Sequence, residues 1–172
     1  NSYRLGRGDL TIDFNRCVEL WDQSAKQGLV EAQVDLGKMY GLGSKDGPPM
    51  TIPVDPQLSF RWYLAAAKQG VVKAMMKIGR LYYLGRGVVK KDESTLEWYT
   101  KAAETGNQVG QYNLGYCYEH GRGCEIDLAH AMHWYQKSAA KGKQRAIDAV
   151  ERLKEQWQYC TTFDIYGFDN TH

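Results

Sequence analysis

Cysteine is scarce in this chain: Cys17, Cys117, Cys124 and Cys160 are the four in 172 residues. Only Cys117 and Cys124 lie close together, and no Cys-x-x-Cys occurs. A small secreted domain framed by disulfides is normally richer and more regular in cysteine. No Asn-x-Ser/Thr acceptor and no signal peptide is visible, so the expected compartment is the cytoplasm. Long apolar runs are also missing. None approaches the roughly 18 residues of a membrane span, which argues against membrane insertion. An excess of one charge is lacking too: 22 basic residues face 20 acidic ones, a net +2 that gives no reason to expect nucleic acid or an anionic membrane as partner. An initiating Met is absent. The chain opens at Asn1 inside a repeating pattern, and is expected to be a piece of a longer protein.

What is present is repetition. Gly28, Gly70, Gly106 and Gly142 recur at spacings of 42, 36 and 36. Before each stands a small pair: Ser24-Ala25, Ala66-Ala67, Ala102-Ala103 and Ser138-Ala139. Four residues further upstream come Leu20-Trp21, Trp62-Tyr63, Trp98-Tyr99 and Trp134-Tyr135. Four residues are about one helical turn, so large and small residues share a helix face, here named helix B. Asp13, Asp55 and Asp127 precede that helix, with Asp92 displaced by one, and suit its N-terminal cap. The glycine after it suits a left-handed C-terminal cap.

A second stripe follows at i, i+4 and i+8: Ala32-Leu36-Tyr40, Ala74-Ile78-Tyr82 and Gly110-Leu114-Tyr118, with Ala146-Val150 opening a fourth. This is one face of a helix A. Gly37, Gly79 and Gly115 sit within it at one register, which suggests close approach by another helix. Tyr82-Tyr83-Leu84-Gly85-Arg86-Gly87 and Tyr118 to Gly123 then turn the chain into helix B, and Tyr3 to Gly8 has the same spacing. These Gly-Arg-Gly segments lack the Lys-Ser/Thr of a nucleotide loop and follow a helix rather than a strand, so they read as turns. Residues 44–54, rich in Pro and Gly, read as an inserted surface loop.

The domain reading is a single repeat domain over 1–172: a partial repeat at 1–28, full repeats at 29–70, 71–106 and 107–142, a capping helix at 143–160 and a tail at 161–172. The tail shows no helical period. Phe163, Ile165, Tyr166 and Phe168 make it too apolar for plain disorder, so it is expected to fold back or dock on a neighbour.

The pattern Ala-x3-Leu-Gly-x2-Tyr-x2-Gly-x-Gly, then Asp, then Trp-Tyr-x-x-Ala-Ala-x-x-Gly, resembles the Sel-one-like repeat, a longer relative of the tetratricopeptide repeat. The match runs from residue 3 to about 158, and is fullest over Ala74–Gly106. The resemblance implies an all-α fold, a right-handed α/α solenoid, with helix A lining its concave side. It also implies an adaptor or scaffold role. A bacterial branch of the family ties helices with a Cys pair, but those positions here are Ala67/Ala74, Ala103/Gly110 and Ala139/Ala146.

Opposite the core stripe, helix A carries three columns. The first is Val34, Met76, Tyr112, Asp148; the second Lys38, Arg80, Tyr116, Arg152; the third Gly41, Tyr83, Glu119, Glu155. Apolar residues stacked in register suggest a binding surface. The expected site comprises Val34, Lys38, Met76, Arg80, Tyr83, Tyr112, Tyr116 and Arg152, with the cations meeting acidic residues of a protein or peptide partner. On that reading, alanine at Tyr112 and Tyr116 with charge reversal at Arg80 weakens binding without changing helicity or melting. The competing expectation is that the superhelix buries this face. A regulatory role within a larger enzyme or receptor is the alternative function. Self-association through the uncovered helix face at Cys17–Lys26 is a further expectation.

No catalytic residue, cofactor or metal is expected. Ser/His/Asp and Cys/His residues follow no known nucleophile order. A metal site around His130, His133 and Asp127, with Cys117, His120 and Cys124 upstream, is disfavoured because Asp127 already has a capping role.

Overall fold

The computed structural model describes residues 14–42 and 53–166, and the side-chain surroundings of 18–41 and 53–158. Asp13, the Tyr3–Gly8 motif, most of the inserted loop, residues 167–172 and the side chains of Cys17 and Cys160 lie outside them. Among the described residues every element is a helix: α1 Phe14–Lys26, α2 Val30–Leu42, α3 Pro56–Lys68, α4 Val72–Leu84, α5 Asp92–Glu104, α6 Gln108–His120, α7 Leu128–Ala139 and α8 Gln144–Tyr166. Odd-numbered helices are the B type and even-numbered ones the A type.

Each helix packs chiefly on its neighbours in sequence, and the backbones of helices two apart seldom come close. The apolar interior is accordingly a series of small clusters, such as Ala25-Ala32-Leu36 and Tyr63-Ala66-Ala67-Ala74-Ile78. That serial arrangement is an α/α solenoid of helix–turn–helix repeats.

The helical glycines have a geometric cause. A Cβ on Gly37, Gly79 or Gly115 would stand 2.9, 2.6 or 2.7 Å from the ring of Tyr63, Tyr99 or Tyr135. Each tyrosine of helix B thus lies flat on the bare backbone of the preceding helix A. Ser59 adds a hydroxyl that donates to the Gly37 carbonyl at 2.6 Å, and Ser138 donates to that of Gln108 at 2.6 Å.

The caps follow the acidic pattern with one exception. Asp55 accepts from the amides of Gln57 and Leu58, and Asp127 from that of His130. At α5 the cap residue is Lys91, with no side-chain cap bond, and Asp92 falls inside the first turn. The glycines after helix B adopt φ of 93°, 89°, 81° and 78°.

The Gly-x-Gly turn does more than reverse the chain. Its second glycine, at 87 or 123, is left-handed and lies against the backbone that opens the preceding helix B, at Pro56 or Asp92.

At the C-terminus the structure corrects the expected helix end. α8 continues to Tyr166, through residues without apolar periodicity. Helix propagation needs only backbone bonds and no breaker, and no glycine or proline occurs between Gln144 and Gly167.

Candidate functional site

A trough of about 360 Å³ lies between α2 and α4. Val34, Asp35 and Lys38 form its α2 wall, Ser59 and Tyr63 of α3 contribute to its lining, and Lys73, Lys77 and Arg80 form its α4 wall. Arg86, from the turn after α4, completes it. Residues 73, 77 and 80 are spaced i, i+4, i+7 and so share one face of α4. Among the described residues none of these five cations makes an ion pair with a carboxylate. Burial, then the positive charges of Arg80, Lys73 and Lys38, lower the Lys77 pKa. Burial, then the Asp35 carboxylate, raise that of Tyr63.

Among the described residues Arg86 has no ion-pair partner, for a reason visible one repeat later. Its counterpart Arg122 has Nη1 3.5 Å from Asp92 Oδ2. The residue equivalent to Asp92 is Pro56, and the neighbouring Asp55 is occupied in capping α3. Displacing the acid by one residue therefore gives Arg122 a partner and leaves Arg86 in the trough.

Of the eight expected site residues, Val34, Lys38 and Arg80 meet in this trough. Met76 is half-buried on α4 and does not line it. The tyrosines are largely taken up by neighbouring residues. Tyr112 lies 5.5 Å from the Tyr135 ring, and both Tyr112 and Tyr116 pack against the cluster of α7 and α8. Tyr116 stacks on His120 at 4.0 Å, and the Arg122 guanidinium sits 5.5 Å from the Tyr83 ring centroid. Alanine at Tyr112 and Tyr116 would remove these packing contacts, so melting is expected to fall in that variant. Both rings are half-buried and keep part of their surface exposed.

Arg152 is also corrected as a free cation. Its Nη1 lies 2.7 Å from Glu119 Oε1, while the Tyr135 hydroxyl donates to Glu119 Oε2 at 2.6 Å. Burial alone would raise the Glu119 pKa; hydrogen bonds from Arg152 and Tyr135 overcome it and hold the carboxyl below its ordinary value. A carboxyl depressed in the folded state stabilises above its unfolded pKa, and that contribution disappears as pH falls through the folded value. Glu119→Gln is therefore expected to cost about 1 kcal/mol at neutral pH. The gap from the parent should narrow as pH falls through the depressed value of the folded carboxyl, as read by urea denaturation over an acid series. A gap independent of pH would exclude this role for the charge.

The other candidates have structural partners. His130 Nδ1 is 2.6 Å from Asp127 Oδ2, and its ring stacks on Tyr118. Among the described residues no three His, Cys, Asp or Glu side chains form a metal-holding group. Cys117 and Cys124 are free thiols. Burial, then Cys124 and Asp92, push the Cys117 pKa up to about 12, and burial with Asp127 raises that of Cys124. Thiols so shifted remain protonated at neutral pH and are weak nucleophiles. On α1, Leu20 and Trp21 are exposed, the former by 50%. Among the described residues no helix is long and apolar enough to cross a membrane.

The trough identified by structure includes three residues missed from sequence: Lys73, Lys77 and Arg86. The signal available for the first two was their i, i+4, i+7 spacing with Arg80.

Short paired helices, serial cores and an open trough define a repeat solenoid whose working part is its surface. The chain belongs to the Sel1 repeat family, whose model matches residues 2–29, 30–71, 72–107 and 108–143. Repeats of this family generally mediate protein–protein interactions. A Sel1 repeat protein from Oxalobacter formigenes is 34% identical, with a TM-score of 0.67, covering 80% of this chain and 98% of that one. A protective antigen present in uropathogenic Escherichia coli strains, displaying an SLR fold, is 25% identical with a TM-score of 0.62, covering 81% of this chain and 36% of that one. Helicobacter pylori cysteine rich protein B shares the fold at 19% identity and a TM-score of 0.58, covering 84% and 99%. None of the curated proteins matches significantly.

Proposed function

We propose that this chain is a non-catalytic interaction module whose trough between α2 and α4 holds an acidic segment of a partner protein. The carrying observation is the charge of the trough. Its five cations and one carboxylate give a formal +4, whereas the whole chain carries only +2. The rest of the molecule is thus net −2, and the small overall charge conceals a local concentration.

Like charges gathered without internal partners repel one another, and carboxylates from outside relieve that repulsion. Val34 and the aliphatic stems of the lysines add apolar contact along the walls. A glutamate-rich peptide should bind at low ionic strength and weaken about tenfold between about 50 and 300 mM salt, because exposed charges are screened. Isothermal titration at the two salt concentrations measures this. Absent binding, or binding indifferent to salt, would remove the reading.

A further inference from the structure

We infer that the trough selects a phosphorylated side chain, a phosphoserine or phosphothreonine of the bound segment. This rests on the reading of the trough as a site for an acidic segment, and sharpens it from a run of carboxylates to one compact dianion.

Two observations favour the compact charge. The cations are gathered in one trough rather than spread along the solenoid. Lys73, Lys77 and Arg80 share one face of α4, Lys38 faces them from α2, and Arg86 closes the trough from the turn, all around about 360 Å³. Two positive charges further along are already answered: Arg122 faces Asp92, and Arg152 is held by Glu119.

A single phosphate monoester brings nearly two negative charges and three acceptor oxygens to one point. Two arginine forks and three lysine ammoniums are a donor set for such a group, the arginines matching its oxygens in pairs. Lys77, whose pKa is lowered by burial and then by Arg80, Lys73 and Lys38, would have its charge favoured by the same dianion.

The test uses a degenerate synthetic peptide library with a fixed central phosphoserine, its twin with serine, and its twin with glutamate, each titrated into the chain by fluorescence anisotropy. The phosphoserine library should bind at least about tenfold more tightly than either twin. Lys77→Ala and Arg80→Ala should each remove most of that preference while leaving helicity unchanged. Equal binding of the phosphoserine and glutamate libraries would overturn the phosphate inference and leave the acidic-segment reading standing. Failure of all three to bind would overturn both. Tighter binding of a single-stranded RNA oligonucleotide, lost in the same two variants, would overturn the assignment to a peptide.

Discussion

Gly123→Ala is expected to cost about 2–5 kcal/mol of stability. Two terms combine. An L residue at φ of 76° is strained by about 1–2 kcal/mol. The new methyl would also press on the opening turn of α5, 2.6 Å from the Asp92 carbonyl carbon and 2.8 Å from Glu93 Cα. These are backbone atoms held in a helix, so they cannot turn aside as a flexible side chain does. Overpacking of this kind adds about 1–3 kcal/mol. Gly142→Ala is the control: its φ is 78°, but nothing lies within 4 Å of the added methyl. It should lose only the conformational term, about 1–2 kcal/mol. Urea denaturation of both variants separates steric contact from strain. Equal losses would mean that the second glycine of the turn does not hold the repeats in contact.

The double charge reversal Lys38→Glu/Arg80→Glu is expected to weaken binding of an acidic segment about a hundredfold or more. It takes the trough from a formal +4 to zero, and places the new carboxylates on both walls. Both residues are exposed, and neither is paired with a carboxylate among the described residues. Glutamate forms helix about as well as lysine or arginine. Melting should therefore stay where it is, or rise as repulsion within the trough falls. That contrast distinguishes a recognition surface from a structural cluster.

The repeat was legible because its parts are local. A glycine at a fixed place after an Ala pair, and an aromatic four residues before that pair, both describe one helix and its cap. The close approach implied by Gly37, Gly79 and Gly115 was legible for the same reason, since each repeat restates it. The site was only partly legible, because its contacts cross repeats. Whether Arg152 is free depends on Glu119, one repeat away and on another helix. Whether Arg86 is free depends on a one-residue shift of an acid between repeats. Tyr112 and Tyr116 stand in the same columns as Met76 and Arg80, yet they pack against the cluster of α7 and α8 and are half-buried. Net charge misled most, because it averages a +4 trough with an acidic remainder.

The most direct measurement is a paired titration. The parent chain and the Lys38→Glu/Arg80→Glu variant are each titrated with a glutamate-rich peptide and with its lysine-rich twin at low salt. If the trough is the binding surface, the parent takes the acidic peptide and not the basic one, and the variant loses the acidic peptide without loss of melting temperature. Retention of the acidic peptide by the variant at the parent's affinity would place the binding surface elsewhere on the solenoid and contradict the trough as the site.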